Sequence, residues 1–451
     1  MSLDTIFKAY DIRGRVPDEL DATTAHSIGR AVADWLHEAV PATRHQPVIV
    51  GRDMRPDSGE LADAVIRGLI QQGRNVIDVG RISTDMVYFA VGHLEAAGGI
   101  MVTASHNPGA DNGMKLCREQ ARAIGSDSGL DEIKQRVQAG DFQDAAPGAV
   151  QSRDVASEWV QHVLSFAPHL RPLQLAVDAG NGMAGVVIPE LESQTELMVT
   201  PLYFEPDGSF PNHEANPIKT ETLADLQHAV RDGGLDVGIA FDGDGDRMVM
   251  VDEYGEPVSG SVMCAILSRY FLEQHPGSTI VHNAICSRVV PETIRAYGGQ
   301  PFRSRVGHSF IKADMREHDA PFGGEHSAHY FFRDNWYADS GLVAALAALE
   351  VMSITEQTLS QLAQPYREAY AHSGEMNFEV SDPDVVLDDI AKQLEDGEQD
   401  WLDGLTVRYE DWWCNVRPSN TEPLLRLNVE ATDADTLQQQ LQKLQQYISG
   451  Y

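Results

Sequence analysis

A serine next to a histidine follows a predicted buried strand. The run GGIMV at residues 98–102 is apolar and strand-like, and the polar segment TASHNP, residues 103–108, follows it. A hydroxyl held at a strand end beside an imidazole is a candidate nucleophile, which draws attention to Ser105 and its neighbour His106. Ser, Asn and Pro are also common turn residues. Taken alone, the segment is better interpreted as an ordinary turn.

Three carboxylates alternate with glycine in a second loop, DGDGDR. Asp242, Asp244 and Asp246 lie two residues apart, with an apolar strand-like run on each side. Glycine lets the backbone turn tightly enough for the three to converge on one cation. An EF-hand is rejected because Arg247 occupies the position of its required glycine and because the flanks are not helical. A few carboxylates with open coordination positions suit Mg²⁺, which can bind phosphate at the same time.

A carboxylate, a hydroxyl and two imidazoles follow a Gly-Gly turn in the segment GEHSAHY, residues 324–330. Glu325, Ser327 and His329 could together hydrogen-bond vicinal hydroxyls of a sugar. His326 and His329 have an HxxH-like spacing. The HExxH pattern is missing, however, and nothing else in the sequence supports zinc.

An arginine, two hydroxyls and an amide come together in the segment RPSNTEP, residues 417–423, and Arg426 follows shortly after. Such donors can form an anion-binding cradle, because arginine and turn amides both bind phosphate oxygens. A capped turn between two strands explains the same residues about equally well.

A glycine-rich segment, GNGMAG at residues 180–185, matches the G-x-G-x-x-G dinucleotide fingerprint between a predicted strand and a predicted helix. The fingerprint also needs an acidic residue about 20 positions later, for which Glu205 is only an approximate candidate. Asp178 precedes the glycine-rich turn, where its negative charge would repel the phosphate of a dinucleotide. A tight strand–helix turn is therefore the better interpretation.

The apolar runs divide the chain into three similar parts and a different fourth. Residues 47–80, 173–203 and 278–307 each read as a strand, a polar loop, a helix and a second strand. An apolar strand follows each unit and ends in a polar loop that contains Ser105, the three aspartates or Glu325. Ligands of α/β sheets bind at the carboxyl ends of strands, so the three loops could face one cleft.

We therefore predict three related mixed-sheet α/β domains, plus a smaller C-terminal α+β domain, around a central cleft. The fourth part differs because strand-like alternation dominates it and a Gln-rich helical segment ends it. The predicted domains are residues 1–150, 151–253, 254–365 and 366–451.

Composition excludes several classes of protein. The 451 residues include 68 acidic and 34 basic ones, a formal net charge of −34, and a field of that sign repels nucleic acid and anionic membranes. No stretch approaches the roughly 18 apolar residues of a membrane helix, and the N-terminus has no signal-peptide pattern. The four cysteines form no CxxC pair, which is typical of a reduced cytoplasmic protein with buried thiols.

Five motifs occur in order across nearly the whole chain: FKAYDIRG, TASHNP, DGDGDR, GEHSAHY and RPSNTEP. With them the sequence resembles the α-D-phosphohexomutase superfamily, and within it the bacterial phosphomannomutase/phosphoglucomutase group. The resemblance implies an isomerase that interconverts mannose 1-phosphate and mannose 6-phosphate, and also the glucose phosphates. Phosphoglucomutase and phosphoglucosamine mutase are the alternatives within the superfamily.

The resemblance also implies how the motifs bind their ligands. Ser105 would be carried as a phosphoserine, and Mg²⁺ would be held by its phosphate oxygens with Asp242, Asp244 and Asp246. Hexose 1,6-bisphosphate would be the intermediate and activator. Arg305 lies where relatives often carry lysine, which keeps the charge but changes the donor geometry. The implied substrate-binding residues are Tyr10, Arg305, Glu325, Ser327, His329, Arg417, Ser419, Asn420, Thr421 and Arg426.

Phosphoryl transfer needs positioning and charge neutralisation more than covalent help. Arg247 is expected to neutralise developing charge together with Mg²⁺. A general base must take the proton of the attacking hydroxyl, and Lys115 is the leading candidate, with Arg13 as helper and His106 or His308 in support. A lysine must be partly deprotonated to act as a base. A plain phosphate-pairing lysine therefore has similar weight.

Two hypotheses from other classes stay open at this point. A dinucleotide-binding oxidoreductase rests on Gly180, Gly182 and Gly185, and a non-catalytic acidic binding protein rests on the net charge. Neither explains TASHNP, DGDGDR and RPSNTEP together. The expected partner is a small phosphosugar, with no nucleic acid and no membrane, and the expected state is a monomer or weak homo-oligomer.

Replacing the candidate nucleophile gives the first test. Ser105→Ala is expected to lose nearly all mutase turnover, because no other group could carry the phosphoryl group between the two ends of the sugar. A coupled assay measures this loss, and near-normal activity would contradict the covalent mechanism.

Overall fold

The computed structural model describes residues 3–419 and 424–449. Its strands form four separate sheets, three of them mixed and one antiparallel, with helices packed on them. The predicted α/β fold class is confirmed. The exact domain boundaries stay a prediction. Asn420 and Thr421 lie outside the described residues.

The first sheet has seven strands in the order β1-β5-β4-β2-β3-β7, with β6 beside β5. In it, β2 runs parallel to β3 and β4, whereas β5 runs antiparallel to β4. The strands are β1 Ile12–Arg15, β2 Val48–Arg52, β3 Val76–Arg81, β4 Gly98–Val102, β5 Asp111–Arg118, β6 Arg122–Ala123 and β7 Val150–Ser152, and the helices are α1 Leu3–Ile6, α2 Ala22–Ala39, α3 Ser58–Gln71, α4 Thr84–His93 and α5 Leu130–Ala139.

The second sheet has five strands in the order β12-β11-β10-β8-β9. β8 runs parallel to β9 and β10, and β10 runs antiparallel to β11. The strands are β8 Gln174–Asp178, β9 Met198–Leu202, β10 Val237–Phe241, β11 Met248–Val251 and β12 Pro257–Val258, and the helices are α6 Ala156–Leu164, α7 Ala184–Ser193 and α8 Ala224–Gly233.

The third sheet repeats this plan in the order β14-β13-β15-β16-β17. β13 runs parallel to β14 and β15, and β15 runs antiparallel to β16. The strands are β13 Thr279–Asn283, β14 Gln300–Ser304, β15 Phe322–Gly324, β16 Tyr330–Phe332 and β17 Ala338–Asp339, and the helices are α9 Gly260–Gln274, α10 Val289–Ala296, α11 His308–Glu317, α12 Gly341–Thr355 and α13 Leu359–Arg367.

The fourth sheet is antiparallel, in the order β18-β22-β21-β20-β19. Its hydrophobic core is separate from the large core that runs through the other three parts. The strands are β18 Ala371–Phe378, β19 Glu398–Asp400, β20 Leu405–Arg408, β21 Trp412–Pro418 and β22 Leu425–Ala431, and the helices are α14 Pro383–Gln393 and α15 Ala434–Ile448.

Helix starts follow from local side-chain chemistry. Six of the helices begin after a Ser, Thr or Asp whose side chain accepts a hydrogen bond from a first-turn backbone N–H, which satisfies a donor that the helix itself leaves unpaired. These N-cap residues are Asp21, Ser259, Ser340, Thr358, Asp382 and Asp433. Within the described chain, no single helix is long and apolar enough to cross a membrane, and only the sharply bent pair α12–α13 passes on length and composition.

The three polar loops occupy equivalent positions in the three mixed sheets. Each connects a central strand to its antiparallel neighbour: β4 to β5, β10 to β11 and β15 to β16. The central strands are fully buried. The shared plan therefore delivers one loop per sheet from a rigid, buried strand.

Helices α2 and α3 cross closely because glycine stands at their contact. A Cβ on Gly68 would lie 2.2 Å from the carbonyl oxygen of His26, whereas a Cβ on Gly59, in the same helix, would meet only Arg52 Nε at 3.9 Å. Gly68→Ala is expected to destabilise the protein by about 1–3 kcal/mol through overpacking. Gly59→Ala is the matched control and should be neutral or stabilising by up to about 1 kcal/mol. Thermal unfolding measures both, and equal effects would contradict the proposed contact.

Candidate active site

Ser105 lies at the end of β4 and reaches the second sheet. Its Oγ donates to Asp242 Oδ2 at 2.9 Å and lies 3.1 Å from His106 Nδ1. The backbone at Ser105 has a φ of +53°, and its N–H donates to Thr103 Oγ1 at 2.9 Å. This strained, buried turn directs the hydroxyl at the DGDGDR loop. Ser105 and the aspartate loop are therefore neighbours, while their roles in catalysis and metal binding stay a prediction.

A buried arginine, Arg55, hydrogen-bonds to the backbone of the TASHNP loop. Arg55 Nη1 donates to the carbonyl oxygens of Pro108 and Asp111, each at 2.7 Å. Its Nη2 donates to the carbonyls of Ser105 at 2.9 Å and Asn107 at 2.7 Å. Arg55 as a whole is only 3% exposed, and its Nε lies 3.2 Å from Asp53 Oδ2. Arg55 therefore fixes the backbone that carries the serine.

The three aspartates of the DGDGDR loop converge. Carboxylate oxygens of Asp242, Asp244 and Asp246 lie within 4.8 Å of one another, and all three side chains are buried. Burial, together with the charges of Asp244 and Asp246, raises the pKa of Asp242 well above its ordinary value. Three buried like charges at this spacing call for a cation.

The same loop rests on the glycine-rich turn at residues 180–185. Met183 N donates to the carbonyl oxygen of Gly243 at 2.9 Å. A Cβ on Gly182 would lie 2.6 Å from that oxygen. Gly182 therefore permits a close backbone approach to the aspartate loop, which fits the interpretation as a tight turn.

Lys115 extends from β5 into the aspartate cluster. Its Nζ lies 2.7 Å from Asp244 Oδ2 and also pairs with Asp246. Burial alone would lower the pKa of Lys115, but Asp244 and Asp246 outweigh burial and raise it. Lys115 is thus a charged lysine that compensates the carboxylates. Its role as general base stays a prediction, and the geometry favours the charge-pairing alternative.

The donor set of the aspartate loop fits a hard divalent cation. Among the described residues, Oδ1 of Asp244 and Oδ1 of Asp246 are buried and have no hydrogen-bond partner. Carboxylate oxygens are the ligands that Mg²⁺ prefers. The loop therefore combines converging carboxylate ligands with two buried oxygens that accept no hydrogen bond from the described residues.

Glu325 is the best-anchored group of the GEHSAHY loop. Gly307 N donates to its Oε1 at 3.0 Å, and His329 Nδ1 lies 3.1 Å from its Oε2. Burial alone would raise the pKa of Glu325, but the interactions with His329 and the hydrogen bond from Gly307 N together outweigh burial and lower it to about 2. Ser327 Oγ lies 3.5 Å from Glu325 Oε2 and 3.3 Å from His329 Nδ1. Glu325 is thus a fixed carboxylate.

His329 connects the GEHSAHY loop to the aspartate loop. Arg247 Nε donates to His329 Nε2 at 3.0 Å and lies 3.8 Å from Asp242 Oδ2. Because an arginine Nε–H is always a donor, the hydrogen of His329 lies on Nδ1, toward Glu325. His326 points elsewhere, and its Nδ1 lies 2.9 Å from Ser261 Oγ. The two histidines do not converge on a common site.

Arg13 and His106 flank the serine. Arg13 pairs with Asp11 at 2.8 Å, and its Nη1 donates to Asn107 Oδ1 at 2.7 Å. Burial, with Arg247 and Arg13 nearby, lowers the pKa of His106 well below its ordinary value. His106 is therefore a neutral imidazole beside the serine hydroxyl.

Tyr10, Arg305 and His308 form an aromatic and cationic wall beside the GEHSAHY loop. Tyr10 donates its hydroxyl to the carbonyl of Val306 at 3.0 Å, and its ring lies 5.7 Å from that of His308. Arg305 stacks on Phe310, 4.1 Å from the ring centroid. Burial, together with the nearby charge of Lys312, lowers the pKa of His308 to about 4. His308 is therefore a neutral member of this wall.

Arg417 and Arg426 face each other across β21 and β22. Arg417 Nη2 lies 2.8 Å from Glu375 Oε2, and Arg426 Nη1 lies 3.3 Å from Glu375 Oε1. Ser419 N donates to the carbonyl of Leu424 at 2.8 Å. Both guanidiniums therefore contact the same carboxylate, that of Glu375.

Models of one protein family match all four parts of the chain. They are phosphoglucomutase/phosphomannomutase alpha/beta/alpha domain I at residues 4–144, domain II at 157–255, domain III at 259–370 and the C-terminal domain at 375–446. The chain belongs to the phosphoglucomutase/phosphomannomutase family. It is therefore a phosphohexomutase, an isomerase that moves phosphate within a sugar phosphate.

Relatives match this mutase over almost its full length. It is 40% identical to a phosphomannomutase of Salmonella montevideo, over 95% of both chains. It is 41% identical to a protein of Xanthomonas campestris described as phosphohexose mutases, over 98% of this chain and 99% of that one. A solved family protein of Burkholderia thailandensis is 33% identical with a TM-score of 0.89, covering 100% of this chain and 98% of that one. The oxidoreductase and the non-catalytic hypotheses are not supported.

Sequence reasoning missed three residues of the mutase site. Arg55 and Thr84 contact the serine and aspartate loops, and Glu375 joins the two arginines of the fourth sheet. Arg55 stands in GRDMRP at the end of β2, a strand-end position that could have drawn attention to it. Thr84 stands at the same distance after β3 and carries the same signal, whereas Glu375 carries none.

Arg55→Lys tests whether the position of the serine loop depends on the hydrogen bonds that Arg55 donates to its backbone. Lysine keeps the charge but cannot bond four carbonyls and Asp53 at once, so kcat is expected to fall about 100-fold through misplacement of the serine. Arg74→Lys is the control, since Arg74 is equally buried and, among the described residues, bonds only the carbonyls of Thr43 and Arg44. Equal kcat losses in both variants, measured with thermal unfolding alongside, would contradict the prediction.

Proposed function

We propose that this phosphohexomutase is a phosphomannomutase that also accepts glucose phosphates, working through a phosphorylated Ser105 and a hexose 1,6-bisphosphate. The observation that carries the proposal is the 2.9 Å contact between Ser105 Oγ and Asp242 Oδ2. It joins a nucleophile to a cluster of metal-type ligands, as phosphoryl transfer requires. The relatives named phosphomannomutase support mannose as the main substrate.

Asp242, Asp244 and Asp246 are the residues that would hold Mg²⁺, together with an oxygen of the phosphorylated serine. When bound, Mg²⁺ would neutralise charge on the transferring phosphoryl group. Arg247 lies beside Asp242 and would share that role. The two unpartnered aspartate oxygens support this assignment.

The reaction balances in two transfers. In the first, the bond between Ser105 Oγ and phosphorus breaks while the free hydroxyl of the sugar, at C6 or C1, forms a bond to phosphorus. The hydroxyl loses its proton to a base, and Ser105 regains one. The resulting 1,6-bisphosphate turns over, and its other phosphate returns to Ser105 with the reverse proton movements.

Several groups surround the path of the proton. Neutral His106, 3.1 Å from Ser105 Oγ, suits proton exchange with the serine. Lys115 is charged and ion-paired with Asp244 and Asp246. It would therefore compensate the charge of these carboxylates as long as they bind no metal cation. Arg13 holds Asn107 of the serine loop and serves as a positive neighbour.

Sugar recognition would rest on the GEHSAHY loop, while the fourth sheet reads phosphate. Glu325 and His329 would bind the hydroxyls, and Arg417, Ser419, Asn420, Thr421 and Arg426 would bind the phosphate that the substrate already carries. Tyr10, Arg305 and His308 would line the space between. The same loop must bind the substrate in two orientations, so its hydrogen bonds to the sugar would be permissive. Mannose and glucose differ only at C2, so both would be accepted. The chain would act in the cytoplasm on a small phosphosugar, as a monomer or weak homo-oligomer.

A coupled assay with mannose 1-phosphate, glucose 1-phosphate and glucosamine 1-phosphate tests the proposal. It contains Mg²⁺ and a trace of the matching 1,6-bisphosphate. Comparable kcat/KM on mannose and glucose phosphates, with little on glucosamine phosphate, is expected. Preference for glucosamine phosphate would overturn the substrate assignment. Full activity in excess chelator would overturn the metal assignment.

A further inference from the structure

The N-terminus of α4, in the first sheet's part of the chain, lies directly behind the aspartate loop of the second. Thr84 Oγ1 donates to Asp244 Oδ2 at 2.5 Å. The Thr84 N–H donates to the carbonyl oxygen of Asp244 at 2.9 Å. Thr84 is fully buried, so both bonds are shielded from water. One residue thus fixes both the backbone and the side chain of a candidate metal ligand.

These bonds decide which oxygen of Asp244 faces a cation. Oδ2 receives two donors, Thr84 Oγ1 and Lys115 Nζ. Within the described parts of the chain, Oδ1 receives none, although it is buried. Without the threonine hydroxyl, the carboxylate could rotate about χ2, because only Lys115 would hold it. The hydroxyl therefore removes rotational freedom that cation binding would otherwise have to restrict.

Thr84 is itself held by a third part of the chain. Its neighbour Asp85 accepts a hydrogen bond from Ser340 Oγ at 2.6 Å and another from Ser83 Oγ. Ser340 caps α12, where its Oγ accepts from Val343 N at 3.0 Å. The first three parts of the chain therefore meet within one residue of Thr84, which makes it a rigid support.

We propose that Thr84 is a positioning residue for divalent-cation binding, acting through Asp244 and joining the metal loop to the part of the chain that carries Ser105. The inference rests on the proposed metal site of this mutase. It assigns Thr84 no contact with substrate. A threonine that only stabilises the fold would affect unfolding but not the affinity of the folded protein for a cation.

Three variants separate these roles. Thr84→Val keeps the shape of the side chain and removes the hydroxyl, whereas Thr84→Ser keeps the hydroxyl. Thr43→Val is the matched control, because Thr43 is also buried in the first part of the chain. In the described structure its Oγ1 bonds only to the carbonyl of Val40, at 2.9 Å. In addition, Asp244→Asn marks the loss of a ligand.

The readout is Mn²⁺ binding to the full-length protein phosphorylated at Ser105, followed by electron paramagnetic resonance without substrate. Thr84→Val is expected to weaken binding by about 10- to 100-fold. Thr84→Ser and Thr43→Val are expected to bind like the unaltered chain. The Mg²⁺ concentration for half-maximal activity should rise in Thr84→Val and stay unchanged in Thr84→Ser and Thr43→Val.

Each outcome decides a different point. Unchanged Mn²⁺ affinity in a folded Thr84→Val protein would overturn the positioning role and leave the metal site intact. Equal weakening of Mn²⁺ binding in Thr84→Val and Thr43→Val would indicate a general packing effect. That result would also overturn the positioning role of Thr84. If the unaltered chain bound no Mn²⁺, or Asp244→Asn bound it unchanged, the proposed metal site itself would be wrong.

Discussion

The repulsion among three buried carboxylates constrains the whole site. Two like charges 4 Å apart repel by about 4 kcal/mol at an effective dielectric constant of about 20, and Asp242, Asp244 and Asp246 form three such pairs within 4.8 Å. Burial removes the water that would screen them. The second sheet cannot balance this charge alone, since only Arg247 lies nearby on its own chain segment. Cations from elsewhere are therefore part of the structure.

The first sheet supplies the largest share of that compensation. Lys115 contributes a charge from β5, while Thr84 and Ser105 contribute neutral donors from α4 and the end of β4. The repeated sheet plan makes this possible, because each sheet ends its central strand at a loop of the same kind. Charge balance thus joins the first two sheets at the point where chemistry takes place, and Arg247 extends the connection to His329 of the third.

The sequence was sufficient to predict the repeated α/β plan and the contents of the loops, but not the contacts between them. The repeat of apolar residues, the turn residues and motifs such as DGDGDR and GEHSAHY can each be recognised within a short stretch of sequence. The bond from Thr84 to Asp244 spans 160 residues, and those from Arg55 depend on how β2 faces the serine loop. Lys115 was identified, yet its pairing with two aspartates, which keeps it charged, is a property of the assembled sheets. Such partners follow only from tertiary packing.

The fourth sheet is attached in a different way from the first three. It has its own core, and its links to the third sheet are largely polar: Arg288 donates to backbone carbonyls of Tyr409 and Trp412, and Arg303 pairs with Asp400. A polar interface between separate cores favours relative movement of domains. A bisphosphate that must turn over inside the site needs room that a rigid enclosure would deny. The first three sheets are thus joined through charged and buried groups, whereas the fourth, which carries the proposed phosphate site, is joined through polar surface contacts.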